Sequence, residues 1–557
     1  MTEQAQPKKN ILFIMFDQLR WDYLSCAGHP TLHTPHIDRI AQMGVRFTRA
    51  YCQSPICGSS RMSTYTGRYP SSHGAQFNGF PLRVGEQTMA DHLRRVGMDC
   101  WLIGKTHMVA DAEGMARLGL EPDSLIGARQ AECGFDVWVR DDGLWAEGPE
   151  GFYDQKRSPY NEYLKSKGYE AENPWHDFAN SGTNGPDLAS GWFMQNADKP
   201  ANIREEDSET PWLTTKTIEF IEQAKGPWCA HVSYIKPHWP YIVPAPYHDM
   251  FGPNHVPEAA RRDSERDDPH PIFAAFMDTM VGRGFSREEV RAKAIPAYMG
   301  LIKQCDDQMG RLFAYLDATD RMKDTMIVLT SDHGDYLGDH WLGEKDLFHE
   351  CSVKVPLIIY DPSPEADTTR GTTSDALIEQ IDLAATFVDF AGGTVPSHIV
   401  EGRSLLPFLH GQPPQNWRDF AISEYDYSLR PFAKTLVTRS ADARLFMVTD
   451  ARWKFMHAEG GFRPMLFDLQ NDPEEFVDLG ASEAPEHREI IALMYERLGQ
   501  WGRRMSQRVT RSEADITKMA GKSLRRGILL GLHDETDIAE ELSIKYRGAA
   551  PKQRFSD

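Results

Sequence analysis

The stretch Asn10-Ile11-Leu12-Phe13-Ile14-Met15-Phe16-Asp17-Gln18 decides the fold. Its unbroken apolar run, Ile11 to Phe16, describes a strand buried on both faces, the kind that makes up the parallel sheet of an α/β protein. Asp17-Gln18 then stand at the strand's C-terminal end, where open α/β sheets bind ligands. Taken alone, an Asp after a strand is an ordinary turn former.

The pattern repeats along the chain. An apolar strand at residues 100–104 leads into Lys105-Thr106-His107. Another at 228–234 leads to Lys236-Pro237-His238-Trp239-Pro240. A third at 325–330 runs into Ser331-Asp332-His333-Gly334-Asp335, followed by Lys345, and a further strand is expected at 355–360. Residues 45–51 alternate as a strand, and amphipathic helices are expected at 34–41, 89–96, 211–223, 297–316 and 381–390. Asp17-Gln18 and Asp332-His333 each pair a carboxylate with a second candidate ligand. Oxygen-rich ligation with one His suits a hard or borderline divalent ion such as Ca²⁺, Mg²⁺ or Mn²⁺, not a Cys-bound structural zinc. Lys105 and His107, two residues apart, point the same way in an extended chain.

The chain's 557 residues exceed one ordinary compact core, and a large α/β domain plus a smaller one is the natural division. After Pro407 the character changes to short strands at 420–427, 443–449, 453–458 and 465–469, the pattern of an antiparallel sheet, with a helix at 486–505. These readings give an α/β domain at 1–410, a small antiparallel sheet plus helix at 411–508, and a C-terminal arm at 509–557. That arm either reaches another subunit, making the protein a homo-oligomer (dimer or tetramer), or is a tail. Residues 111–210 are polar and rich in Gly, Pro, Trp and Asp; they read as insertions and loops that wall a pocket.

The formal net charge of −20 argues against nucleic acid and anionic membrane surfaces as partners. An anionic substrate therefore needs a local cluster of cations. The polar N-terminus, followed by an apolar run too short for a signal-peptide core, reads as cytoplasmic. Eight cysteines without Cys-x-x-Cys pairs fit reduced thiols better than a disulfide framework.

A second stretch carries the chemistry: Ser54-Pro55-Ile56-Cys57-Gly58-Ser59-Ser60-Arg61, continuing to Thr66-Gly67-Arg68-Tyr69-Pro70. Ser54-Pro55 can open a helix that Gly67 and Pro70 close. Cys57 then sits near a helix N-terminus, where free N–H groups and the dipole favour an anion. Arg61, one turn on, can reach back toward position 57. A lone Cys is more often a small buried hydrophobe, so the stretch gains weight only from the residues elsewhere.

Cys57-Gly58-Ser59-Ser60-Arg61 with Thr66-Gly67-Arg68-Tyr69-Pro70 resembles the signature of formylglycine-dependent sulfatases, in the alkaline phosphatase superfamily. Ser59 stands where that signature usually has Pro. The resemblance runs from Ile11 to about Gln500. It implies a large mixed, mostly parallel sheet sandwiched by helices and a smaller C-terminal antiparallel domain, to which Leu466 to Glu475 are also similar. It implies metal ligands at Asp17, Gln18, Cys57, Asp332 and His333; Gln18 and His333 look like the branch with phosphonate monoester hydrolases and choline sulfatases. Gly104-Lys105-Thr106-His107, Pro237-His238-Trp239-Pro240 and Lys345 match further family motifs, and Asn78 is a substrate contact by resemblance. Phosphonate monoester hydrolases typically carry Tyr and Thr where Lys105 and His107 stand, which favours sulfate.

By the same resemblance, a maturation enzyme oxidises Cys57 to formylglycine, whose hydrate attacks the sulfur of a small-molecule sulfate ester. Lys105, Lys345 and one divalent ion (Ca²⁺ or Mn²⁺) hold the non-bridging oxygens, His238 protonates the leaving oxygen, and Arg61 orients the nucleophile. His107 then takes a proton from the second hydroxyl and sulfate leaves. The alternatives are a phosphonate monoester or phosphodiester hydrolase on the same site, a phosphatase or mutase of the wider superfamily, against which Cys57 argues, and a metal-binding scaffold with no activity.

Overall fold

The computed structural model describes residues 9–143, 158–437, 439–507, 510–520 and 531–540. The expectations for residues 1–8, for 144–157 of the insertion and for much of the 509–557 arm fall outside the described residues.

The strands occur in the order β1 (Asn10–Asp17), β2 (Val45–Tyr51), β3 (Asp99–Gly104), β4 (Asp136–Arg140), a separate hairpin β5 (Ser181–Asn184) and β6 (Asp187–Ser190), then β7 (Trp228–Pro237), β8 (Thr325–Ser331), β9 (Lys354–Tyr360) and β10 (Thr372–Glu379). Eight of them form one sheet in the order β10-β2-β9-β8-β1-β7-β3-β4. β1 lies at its centre, parallel to β7 and β8, and β9 alone runs antiparallel to its neighbours β2 and β8.

The apolar run of β1 explains the layering. Ile11, Phe13 and Met15 enter the core on one face of the sheet, and Leu12, Ile14 and Phe16 the core on the other. None of the six has any exposed surface, and burial of each stabilises the fold by about 1.5–3 kcal/mol. Helices Met89–Arg94 and Asp382–Phe390 pack on the first face, and helices Pro35–Met43, Glu209–Gln223 and Glu288–Ala318 on the second. The long helix begins nine residues before its expected start at 297 and carries Pro296 inside it. Its predicted stripe of Leu301, Cys305, Gln308, Leu312 and Leu316 is buried.

Two expectations need correction. Residues 111–210 are not all loop: β4 is an edge strand of the main sheet, and helices Ala112–Leu118, Leu125–Ala131 and Pro159–Ser166 lie in the same region. The helix after Ser54-Pro55 begins only at Cys57, because Ile56 keeps extended backbone (φ −149°, ψ 137°); Gly67 ends it at φ 65° as expected.

The smaller sheet is an antiparallel meander of β11 (Ala421–Asp426), β12 (Arg444–Thr449), β13 (Trp453–Ala458) and β14 (Met465–Asp468). Met494 and Trp501 of the helix Pro485–Gln507 pack with Ile422, Val448 and Phe455. Residues up to Val395 together with Val400–Arg503 make one compact unit holding both sheets; Pro396–Ile399 and the residues from Arg504 make another. All eight cysteines are unpaired, and no helix among the described residues is long and apolar enough to cross a membrane.

Candidate active site

Four adjacent strands, β8, β1, β7 and β3, end on the same edge of the sheet and deliver Asp332-His333, Asp17-Gln18, His238 and Lys105. The helix Cys57–Thr66 enters from β2 and places Cys57 in its first turn. Gly104 turns the chain at φ +109°, and a Cβ there would lie 2.2 Å from the Ser233 carbonyl oxygen, so only glycine lets β3 end beside β7.

Cys57 is fully buried, with its Sγ 3.1 Å from His333 Nε2, 3.1 Å from Lys345 Nζ and 3.6 Å from Asp17 Oδ1. Burial pushes the thiol up, but Lys345, His333 and Lys105 outweigh it and hold it well below the ordinary range. Asn78 Oδ1 accepts from the Gly58 N–H at 2.8 Å, in the first turn of the same helix. Asn78 therefore braces the segment that carries Cys57.

Ligand atoms of Asp17, Cys57, Asp332 and His333 all lie within 4.8 Å of one another, and all four residues are buried. Gln18, at φ 66°, is held by its Nε2, which donates to Tyr241 Oη and Asp335 Oδ2; its Oε1 accepts from Lys345 Nζ at 3.0 Å. His333 Nδ1 lies 2.8 Å from the Gly334 carbonyl oxygen, so that nitrogen donates and Nε2 is the one turned to the cluster. Burial, Asp17 and Cys57 push the Asp332 carboxyl up, whereas Lys105, His238 and Arg61 overcome burial at Asp17 and pull it down. Two buried carboxylates crowded beside a sulfur and an imidazole nitrogen fit a divalent cation, whose charge relieves the crowding.

Arg61 reaches past Cys57 to the carboxylates. Its guanidinium donates to Asp332 Oδ2 (2.9 Å), Asp17 Oδ2 (3.2 Å), Ser233 Oγ (2.7 Å) and the Lys105 carbonyl (3.2 Å). Lys105 Nζ donates to Asp17 Oδ2 at 2.5 Å. His107, half-buried at φ 56°, helps to hold the Cys57 thiol down and gives its backbone N–H to Asp142 Oδ1 at 3.4 Å. Its Nδ1 is buried with no partner among the described residues.

Burial pushes the His238 imidazole down to about 4. Its Nδ1 bonds the Trp239 carbonyl oxygen at 2.8 Å, and Lys345 Nζ donates to its Nε2 at 3.3 Å. Lys345 comes from the segment between β8 and β9, where Leu337, His340, Trp341, Glu344 and Asp346 all have positive φ, between 51° and 99°. Arg20 holds that segment by the carbonyls of Asp335 and Tyr336 and by Asp339, and Arg291 by the carbonyl of Leu337.

The structure thus brings the side chains of Asp17, Gln18, Cys57, Arg61, Lys105, His238, Asp332, His333 and Lys345 together, with Asn78 against the Gly58 backbone. Sequence reasoning missed Ser233, Tyr241 and Asp335, which fix Arg61 and Gln18. Asp335 could have been found from its place three residues after Asp332. Ser233 and Tyr241 carry no sequence signal.

The family described as Sulfatase matches residues 9–393, and the description N-sulphoglucosamine sulphohydrolase, C-terminal, matches residues 338–504. The chain is 29% identical to a multifunctional alkaline phosphatase superfamily protein PehA of Trinickia caryophylli, over 86% of this chain and 92% of the relative. It is 28% identical to an arylsulfatase of Clostridium perfringens, over 87% of this chain and 92% of that one. The solved phosphonate monoester hydrolase of Agrobacterium radiobacter shares the fold at a TM-score of 0.76, with 28% identity, covering 91% of this chain and 97% of the other.

Proposed function

The chain belongs to the sulfatase family of hydrolases, and we propose that it cleaves sulfate monoesters of the arylsulfatase type, with formylglycine made from Cys57 as nucleophile and one divalent cation, Ca²⁺ or Mn²⁺, as cofactor. One observation carries the reading: Cys57 Sγ sits 3.1 Å from both His333 Nε2 and Lys345 Nζ, inside the cluster that includes Asp17 and Asp332.

In this reading Asp17, Gln18, Asp332 and His333 would hold the cation, which would supply positive charge to polarise the ester and make a hydroxyl beside it more acidic. Formylglycine, as its hydrate, supplies one hydroxyl that attacks sulfur and a second whose ionisation expels sulfate, a route that serine lacks. Arg61 fixes the two carboxylates that set the cation's place. Lys105 and Lys345 bind the anionic oxygens as preorganised charges. Lys345 and His238 share a proton at 3.3 Å and hand it to the leaving oxygen. His107, beside Cys57, takes the proton of the second hydroxyl. Asn78 acts by bracing Gly58 and by contact with substrate.

A maturation enzyme, a cytoplasmic location suited to eight free cysteines, a homo-oligomeric state and a domain boundary near residue 410 complete the proposal. The test is the mass of the 50–61 peptide from protein coexpressed with a formylglycine-generating enzyme. Conversion of Cys57 is the expected result, and an unmodified thiol together with no hydrolysis of any aryl sulfate would overturn the reading.

A second reading, hydrolysis of phosphonate monoesters on the same site, is favoured by the TM-scores of 0.76 to two phosphonate monoester hydrolases. Lys105 and His107 weigh toward sulfate. The ratio of kcat/KM for an aryl sulfate and an aryl phosphonate decides between them, and activity on both is expected.

A further inference from the structure

The hairpin β5–β6 and the residues after it lie against the turn that carries His238. Gly191 donates its N–H to the Asn180 carbonyl at 3.0 Å. A Cβ at Gly191 would meet Asn180 O at 2.5 Å, Ile242 at 2.9 Å and Pro240 at 3.2 Å, so the backbone is in contact with the 240–242 segment. From the other side, Lys236 Nζ ties Asn180 Oδ1 (2.8 Å) to the Pro240 carbonyl (3.2 Å). The next residue, Trp192, is thereby held beside Trp239, ring centroids 5.1 Å apart and planes tilted by 56°. Trp239 in turn packs on His238, ring centroids 4.2 Å apart. Trp192 and Phe193 are 45% and 65% exposed, large apolar areas left open to solvent on an anchored segment.

We propose that Trp239 and Trp192 form a platform for the leaving group, and that it fits a flat apolar alcohol of two fused rings better than a single phenyl. The inference rests on the reading of His238 as a neighbour of the leaving oxygen. An ester oxygen beside His238 puts the first ring of its alcohol against Trp239. The run of rings continues one further contact, to Trp192, beyond the reach of a phenyl group. Offset or edge-to-face packing on an indole adds to the plain burial of a ring, and an added apolar group in a pocket is worth about tenfold or more in specificity. The platform is made of indole rings rather than cations, so it suits a neutral alcohol in place of one bearing further sulfates.

The test compares kcat/KM for 2-naphthyl sulfate and phenyl sulfate, whose alcohols are of similar acidity, in the mature enzyme and in Trp192→Ala and Trp192→Phe. The expected result is a preference of about tenfold for the naphthyl ester, carried by KM, brought near one by Trp192→Ala and restored by Trp192→Phe. Equal values for the two esters, a preference that survives Trp192→Ala, or faster turnover of a sulfated monosaccharide than of either aryl ester would overturn the platform. Absence of turnover on all sulfate esters would instead overturn the sulfatase reading. Calorimetric binding of 2-naphthol, present in the parent and weakened about tenfold in Trp192→Ala, tests the platform without turnover, and undiminished binding in the variant counts against it.

Discussion

Arg61 Nε donates to Asp332 Oδ2 at 2.9 Å, and neither side chain has any exposed surface. The same guanidinium spans to Asp17, so one buried cation stands between two buried carboxylates. Removing one partner of a buried ion pair leaves its charge uncompensated, at about 3–5 kcal/mol. Arg61→Met should cost about that much in urea unfolding without divalent ions. Added Ca²⁺ or Mn²⁺ should recover part of the loss, because a cation at Asp17 and Asp332 offsets the same charge. An equal deficit with and without the ion would show that Arg61 supports the fold apart from the cation site.

Cys57→Ser keeps a hydroxyl at the helix N-terminus but has no second hydroxyl to expel sulfate. The variant should therefore release at most one equivalent of phenol per active site in a burst assay, then stop. Sustained turnover would remove formylglycine from the mechanism.

Lys345 touches Cys57, Gln18 and His238 at 3.0–3.3 Å. Loss of such a preorganised charge lowers kcat by roughly 100–1000-fold. Lys345→Met should show a loss of that size, growing as the leaving alcohol becomes less acidic, since the Lys345–His238 pair would no longer deliver a proton. A loss uniform across a series of substituted phenyl sulfates would confine Lys345 to binding the oxyanion.

Burial pushes the imidazoles of His73 and His231 down to about 3. His73 is held by Ser63 Oγ at 2.9 Å, and His231 by Tyr65 Oη at 2.8 Å. Below the unfolded value near 6.5 the unfolded chain takes up a proton that the folded imidazole refuses. Stability is therefore fully present above about pH 6.5 and falls as the pH drops toward 3, by about 1.4 kcal/mol per pH unit for each residue. Unfolding free energies at pH 7, 6 and 5 should show this slope, and His231→Gln should remove one proton's share. An unchanged slope in that variant would mean that other groups set the acid limit.

Much of the molecule was legible because continuous apolar runs dictate buried strands, and chemistry placed just after such runs lands on one edge of a parallel sheet. Asp17, Lys105, His238 and Asp332 were readable for that reason. β4 was not, because Asp136-Val137-Trp138-Val139-Arg140 is short and bounded by charges, as befits an edge strand. The start of the Cys57 helix differs from the expected one because proline pre-sets only its own φ, and Ile56 stays extended until the chain reaches Cys57. The part played by Arg61 needs tertiary structure: helical spacing gives its direction but not the carboxylates that it meets.

The segment that delivers Lys345 has a consequence for engineering. Five of its residues other than glycine hold positive φ, each at roughly 1 kcal/mol or more, and Arg20 and Arg291 hold the segment at Asp339 and Leu337. A stability screen would find glycine at Glu344 attractive, since it relieves that conformation without opening the apolar core as loss of Leu337 would. The same change would loosen the tether on a lysine that must meet Cys57 within about 3 Å. Variants that melt later and turn over more slowly should therefore cluster in this segment, and directed evolution for heat tolerance should be kept away from it.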